Sequence, residues 1–362
     1  MSRALSSPPC SLNVLALDFS EVQTTGAERR TINAEKKKDK KANVATNDDS
    51  HTSEITSVHT GAIGSLTHEM AHINPQTLES AVSKWISSTC QSADIAIPVL
   101  FVALHACGTL TPDILRCFLQ NSNSNGGTEN DPASSWYASG LVVVGCCYNL
   151  MSPDTGTFGS LDHKLLVIIH IFIPFMKDFP LSSIVASEKA HRSPFLHFSY
   201  NHRSLAAQIP HQWSLSPSSR KSAELAIRKV VYRALIGTLV SPNNISPNAN
   251  IDHRALKIGR LPDTAYSSLQ KFISEAERKT GVNVSPFVDD DGDLPPQYFD
   301  LIARLEVLHA LRSRIGPVVE SLIIVDRYLY LVENLPGRKI TVMNLFDQEE
   351  GSGRNMAIAV YP

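Results

Sequence analysis

Three aliphatic runs dominate the hydrophobic pattern of the chain, and each one predicts a strand. Residues 12–19 form the first run, with the acidic residue Asp18 near its end. Residues 95–104 and 140–144 are almost free of polar side chains, which is typical of strands buried on both faces of a parallel sheet. Helix-forming segments at 26–41 and 75–85 separate the strands. This alternation predicts an α/β fold with a mostly parallel sheet.

The C-terminal part shows a helical period followed by a strand pattern. Apolar residues recur at every third position of residues 298–315, which predicts an amphipathic helix. Gly316 and Pro317 are expected to break that helix, and a second helix is expected to follow. Residues 339–346 and 355–361 are rich in strand formers, and a turn-prone segment, DQEEGSGR, separates them. They predict an antiparallel hairpin that closes the sheet.

These patterns predict three parts of the chain. The predicted parts are an α/β portion at 1–204 with loops or insertions at 42–61, 121–135 and 152–178, a mainly helical insertion at 205–296, and helices with the closing hairpin at 297–362. The last part is expected to return to the first and to complete the same α/β domain.

The charge balance excludes some classes of function. The chain has 33 basic and 35 acidic residues, and its formal net charge is −2, so no overall field attracts it to nucleic acid or to anionic membranes, and no DNA partner is expected. Its longest apolar run, at 165–175, is shorter than the roughly 20 residues that a membrane span needs. The six cysteines form no CxxC pair, and no signal peptide is recognised. An intracellular location, cytoplasmic or nuclear, is therefore expected.

Polar and sulfur-bearing residues follow the predicted strands. Residues 105–108 (HACG) come directly after the second run, and residues 146–149 (CCYN) come after the third. The carboxyl ends of parallel strands share one edge of the sheet, where open α/β folds bind their ligands. In dinucleotide-type sheets an acidic residue at a strand end holds the ribose hydroxyls, so Asp18 is a candidate for that role.

Several of these segments carry a family resemblance. LALDFSEVQTTGAERR, LHACGTLTPDIL and VVVGCCYNLMS resemble, in this order, successive motifs of the S-adenosylmethionine-dependent methyltransferase-like family that includes the rRNA adenine dimethylase domain-containing proteins. SSRKSAELAIRKVVYRAL and MNLFDQEEGSGRNMAIAV are similar to the C-terminal half of that family. The resemblance implies a class I methyltransferase-like, Rossmann-like sheet and S-adenosylmethionine as the cofactor. A tRNA 2′-O-methyltransferase family has a similar histidine-cysteine-glycine turn, which makes RNA a candidate substrate.

The resemblance also assigns residues to a site. The implied cofactor-binding residues are Asp18, Ser20, Ala106, Cys107 and Gly108, and the implied walls of the substrate cleft are Cys146, Cys147, Tyr148 and Asn149. His105 is the candidate base for a hydroxyl acceptor because an imidazole titrates near neutral pH. The other interpretation is that His105 only satisfies backbone groups at the end of a strand.

Two departures from the family pattern affect the expected activity. The glycine-rich first motif of the family has no counterpart before Leu12, so the sheet is expected to lack its first strand. Residues 151–179 carry the aliphatic segment LLVIIHIFIPF where the family has a polar stretch. An error in the gene model would explain both departures, and the 5′ sequence of the transcript tests that hypothesis.

Two classes of function stay open. The first is a methyltransferase, with RNA as the leading acceptor; the second is a non-catalytic binding protein or scaffold, with a protein partner that covers the incomplete sheet. A soft metal held by His105, Cys107, Cys146 and Cys147 is a third idea, but adjacent cysteines seldom both bind one ion. No metal is therefore expected.

Overall fold

The computed structural model describes residues 1–45, 64–89, 95–122, 135–151, 177–192, 198, 200–206, 216–239, 258–281, 296–346 and 355–362. The helices are α1 (Ser2–Ser6), α2 (Glu21–Ala45), α3 (Pro75–Thr89), α4 (Leu110–Ser122), α5 (Ser183–Arg192), α6 (Tyr200–Leu205), α7 (Pro217–Leu239), α8 (Leu269–Thr280) and α9 (Pro296–Asn334). The strands are β1 (Val14–Asp18), β2 (Leu66–Met70), β3 (Ile97–Ala106), β4 (Trp136–Gly145), β5 (Ile340–Asn344) and β6 (Met356–Val360).

The chain divides into two compact units. Unit 1 comprises residues 1–145, 328–343 and 357–362, and unit 2 comprises residues 146–327 and 344–356. The predicted boundaries at 204 and 296 are not tested by this division and stay predictions.

Unit 1 contains two sheets. β1 pairs in parallel with β2, while β3, β4, β6 and β5 form a second sheet in that order. β3 and β4 are parallel, and β6 runs antiparallel to β4. The amide of Tyr361 donates to Lys339 at one end of the β5–β6 pair, and that of Leu345 donates to Asn355 at the other, so β5 and β6 are antiparallel. This mixed α/β arrangement with parallel strands is compatible with a Rossmann-like fold.

Helices α3 and α4 provide much of the core of unit 1. Leu115, Cys117 and Phe118 of α4 are fully buried. Trp136, at the start of β4, is also buried, and its indole N–H donates to the Ser83 hydroxyl at 2.9 Å. The aliphatic strands thus bury side chains under helices that follow or precede them in the chain.

Unit 2 has helical cores of its own. Phe272 of α8 stacks on Tyr266 with ring centroids 5.0 Å apart, and Leu235 of α7 belongs to the same cluster. The hydroxyl of Ser268 caps the start of α8, and Gly281 ends it with a φ of 71°, the left-handed conformation that glycine adopts most easily.

The predicted break at Gly316 and Pro317 is wrong, because α9 continues through both residues. A proline inside a helix removes one hydrogen bond. Here one face of the helix is buried before and after the proline, with Ser313 and Ile323 fully inaccessible. Packing of these flanking turns outweighs the local penalty.

Two predicted boundaries also need correction. Helix α2 extends through residue 45, so the predicted loop at 42–61 begins inside a helix, and residues 46–61 lie outside the described residues. Asn121 and Ser122, placed in the loop at 121–135, are buried residues of α4, and Asn121 donates to the Cys117 carbonyl. Residues 123–134 and 152–176 lie outside the described part.

Strand β3 differs from its prediction in length and burial. It includes His105 and Ala106, which were expected in a turn. Leu100 is 51% exposed, although the pattern predicted burial on both faces. Among the described strands β3 pairs only with β4, so none of them covers its other edge.

Candidate functional site

Asp18 ends β1 at the junction with α2. Its carboxylate oxygen Oδ1 accepts the backbone N–H of Ser20 at 2.7 Å. The Ser20 hydroxyl in turn accepts the N–H of Gln23 in the first turn of α2. Asp18 is exposed, and its second carboxylate oxygen has no hydrogen-bond partner among the described residues. This oxygen is therefore oriented at a strand end and available to a hydroxyl donor.

Residues 105–108 carry β3 into α4. His105 is exposed, whereas Ala106 is buried. Helix α4 starts at Leu110, and the Thr111 hydroxyl donates to the Ala106 carbonyl at 2.8 Å. Gly108 has a φ of 55°, which permits the tight turn because a side chain is disfavoured in the left-handed region.

The ends of β3 and β4 coincide in the sheet. Ala106 and Gly145 are Cα partners at the last position of the β3–β4 ladder. Cys107 and Cys146 are the next residues of the two strands, so both segments leave the sheet at one edge. Their joint role in a cofactor or metal site stays a prediction.

Residues 146–149 begin unit 2 with a short 3-10 turn, Tyr148–Leu150. The sulfur atoms of Cys146 and Cys147 lie 3.7 Å apart. Tyr148 is buried: its hydroxyl donates to Glu320 at 3.2 Å, and the guanidinium of Arg327 lies 5.4 Å from its ring centroid. Tyr148 therefore anchors the turn, while Cys147 and Asn149 are partly exposed. The predicted cleft role of these four residues is not tested.

Two buried charged residues near Tyr148, Asp326 and Arg327, were not predicted from the sequence. The Asp326 carboxylate accepts the backbone N–H groups of Leu181 and Ser182 at 2.9–3.0 Å. Arg327 is buried and contacts the Met151 sulfur at 3.2 Å. The only sequence signal was the Asp-Arg pair inside the apolar stretch SLIIVDRYLYLV.

Opposing effects act on the pKa of Arg327. Burial lowers it, while Tyr148, Asp326 and Asp178 raise it. The nearby anions thus support the charged guanidinium in a place that would otherwise disfavour it.

The residues of unit 1 fit one end of S-adenosylmethionine. An exposed carboxylate with an unused oxygen suits the ribose diol, and Asp18 provides it. Residues 7–13, which precede β1 in the described part, contain no glycine and no charged side chain. They offer neither a glycine turn nor a counter-charge to the amino-acid end of the molecule.

Among the described helices, none combines the length and the apolar character that crossing a membrane requires.

The chain is similar to curated methyltransferase-like proteins. It is 23% identical over 270 residues to "Probable methyltransferase-like protein 25" of Homo sapiens, an alignment that covers 68% of this chain and 34% of the human protein. It is 23% identical over 281 residues to the Mus musculus protein of the same name, covering 75% and 39%. The chain thus spans less than two-fifths of either relative. No family model matches it, and no solved structure matches it.

Proposed function

We propose that this chain is an S-adenosylmethionine-dependent methyltransferase domain of class I type, with RNA as its methyl acceptor. Similarity to proteins named methyltransferase-like and a sheet compatible with a Rossmann-like fold support the proposal. The observation that carries it is Asp18, whose exposed carboxylate ends β1 and keeps one oxygen unused. RNA is proposed from the resemblance of the HACG segment to a tRNA methyltransferase turn.

Each residue of unit 1 has a defined task in this proposal. Asp18 accepts hydrogen bonds from the ribose hydroxyls, and Ser20 holds its carboxylate in place. The Gly108 turn keeps the backbone close to the sheet, so that a flat nucleoside can lie against residues 106–108. The cofactor supplies an electrophilic sulfonium methyl group. His105 accepts the proton of the acceptor hydroxyl. Its side chain is exposed near the end of β3, so an acceptor can reach it.

Calorimetric titration with S-adenosylhomocysteine tests the proposal. The unaltered chain is expected to bind, and Asp18→Ala is expected to bind roughly 10–100-fold more weakly, because two hydrogen bonds to a charged group are lost. Glu28→Ala is the matched control, since it removes an exposed carboxylate of α2 away from the strand end. No binding by the unaltered chain, or equal binding by Asp18→Ala, would contradict the proposal.

Methyl transfer needs its own experiment because binding alone does not identify the acceptor. The chain is incubated with total RNA and cofactor carrying a tritiated methyl group, with ribonuclease-treated RNA as the control. Label in intact RNA supports an RNA acceptor. Binding of S-adenosylhomocysteine without transfer to RNA would leave the methyltransferase fold in place and reject RNA as the acceptor.

A non-catalytic binding protein is the second candidate. The lack of glycine and of charge in residues 7–13 favours it, because these residues offer the amino-acid end of the cofactor neither a glycine turn nor a counter-charge. The same calorimetric experiment separates the two functions, since an enzyme must bind the cofactor and a scaffold need not.

A further inference from the structure

Two adjacent cysteines, Cys146 and Cys147, stand at the start of unit 2. Both are thiols in the structure, and their sulfur atoms lie 3.7 Å apart. Cys146 is buried, with 7% of its surface exposed, whereas Cys147 is partly exposed. The pair thus combines a residue that solvent reaches with a second thiol in contact with it.

This arrangement meets the requirements of a reversible thiol oxidation. Such chemistry needs an accessible sulfur that reacts first with the oxidant, and a second sulfur close enough to resolve the sulfenic acid before it is oxidised further. Cys147 meets the first requirement, and Cys146 meets the second. Cys10 is also exposed, but no other cysteine is adjacent to it in the chain. The two requirements therefore coincide at residues 146 and 147.

The geometry of the chain makes a bond between these two sulfur atoms easy to reduce. Adjacent Cα atoms are about 3.8 Å apart across a trans peptide, whereas disulfides usually join Cα atoms that are about 4.4–6.8 Å apart. Strained disulfides have higher reduction potentials than structural ones and are typically the regulatory ones. A bond between Cys146 and Cys147 is therefore expected to be reversed by dithiols and by cellular thiols.

We propose that Cys146 and Cys147 form a redox-sensitive site that hydrogen peroxide converts into a vicinal disulfide. The Cys147 sulfur attacks one peroxide oxygen, the O–O bond breaks, and the second oxygen leaves as hydroxide and is protonated to water, so that Cys147 becomes a sulfenic acid. The Cys146 sulfur then attacks the Cys147 sulfur, the S–O bond breaks, and the leaving hydroxide takes the proton of the Cys146 thiol to form a second water. The two thiols are oxidised by two electrons, and one peroxide is reduced. The proposal does not depend on cofactor binding.

The disulfide is expected to change the turn that follows the pair. Cys147 has a φ of −88° and a ψ of 69°, and the N–H of Tyr148 donates to the Cys146 carbonyl at 3.0 Å, which is the pattern of an inverse γ-turn. To bond, the sulfur atoms must approach to about 2.05 Å, and the φ torsion of Cys147 belongs to the ring that they close. Oxidation is therefore expected to weaken this hydrogen bond, beside the contact of the Tyr148 hydroxyl with Glu320.

Mass spectrometry on the full chain tests whether the bond forms. The reduced protein is treated with hydrogen peroxide, and the remaining thiols are then blocked with iodoacetamide in denaturant. Chymotrypsin cleaves after Tyr137 and Tyr148, and the resulting peptide 138–148 contains both cysteines of the pair and no other cysteine. This peptide is expected to lose two hydrogens, to take up no iodoacetamide and to recover both thiols with dithiothreitol.

Cys117 is the internal control in this experiment. It is fully buried, and burial raises the pKa of its thiol to about 12, so it is expected to remain a thiol throughout. If peptide 138–148 keeps both thiols as Cys117 does, the proposal is wrong. A sulfinic acid in that peptide, or a disulfide from Cys146 or Cys147 to another cysteine, would equally overturn it.

Matched variants test the order of the two steps. Cys146→Ala removes the resolving thiol, so Cys147 is expected to stop at the sulfenic acid, which dimedone labels. Cys147→Ala keeps only the buried sulfur and is expected to take up at least tenfold less dimedone in peptide 138–148. Equal labelling of the two variants would refute the proposal. If either variant does not fold, deuterium exchange of the Tyr148 amide in the unaltered chain replaces the comparison: exchange at least tenfold faster after oxidation is expected, and an unchanged rate would refute the proposal.

Discussion

Asp326 is expected to be among the most important residues for the stability of unit 2. It is fully buried on α9, and its carboxylate accepts the backbone N–H groups of Leu181 and Ser182 just before α5. Asp326→Ala removes the acceptor of both groups and fills none of the space. The carboxylate thus connects two segments that are about 145 residues apart in the chain.

The loss of stability in Asp326→Ala follows from the buried groups that the variant leaves without a partner. Each buried N–H that loses its acceptor destabilises the fold by about 1–3 kcal/mol. Asp326 also raises the pKa of the buried Arg327, so its loss leaves that guanidinium with less compensation. Together these effects predict a loss of about 3–6 kcal/mol. Asp326→Asn keeps one acceptor oxygen, so about half of that loss is expected.

Urea unfolding followed by circular dichroism measures these free energies. Asp300→Ala is the matched control, because Asp300 lies on the same helix in an exposed pair with Arg304. Exposed i,i+4 pairs contribute about 0.3–0.5 kcal/mol, so this variant is expected to stay close to the unaltered protein. A loss below about 1 kcal/mol for Asp326→Ala would refute the assignment of its hydrogen bonds as principal supports of α5.

Three further predictions concern titratable groups. His105→Asn is expected to slow methyl transfer to a hydroxyl acceptor by about 10²-fold or more with unchanged S-adenosylhomocysteine affinity, and an unchanged rate would exclude a proton-transfer role. Burial and, to a smaller extent, Glu79 raise the pKa of the Cys117 thiol to about 12, while a hydrogen bond with Asn121 opposes them. Iodoacetamide at pH 8 should therefore label exposed Cys10 well before Cys117, and mass spectrometry measures the label on each residue. Burial and then Arg312 lower the pKa of His309; its neutral form is therefore favoured in the folded state. The contribution of neutral His309 to the free energy of unfolding is complete above about pH 6.5 and is lost as pH falls through the folded pKa. His309→Gln should remove this pH dependence, which urea unfolding between pH 7.5 and 5 measures.

The aliphatic runs predicted the strands well because burial of a sheet requires them. Most of the run at 95–104 lies in β3, and the run at 140–144 lies in β4. The exposure of Leu100 was not predictable from this pattern, since it depends on a neighbouring strand rather than on local composition. Likewise, Pro317 predicted a break from a local rule, while the burial that keeps α9 continuous comes from residues far away in the chain.

The site was predictable only where it follows directly from a strand end. Asp18 and Cys107 could be placed because a residue at the end of a strand must lie at the edge of the sheet. The partners of Tyr148 could not be placed, because Glu320 lies 172 residues away and meets it only through folding. Local sequence therefore indicates the edge of the sheet and gives no information on the buried charges behind it.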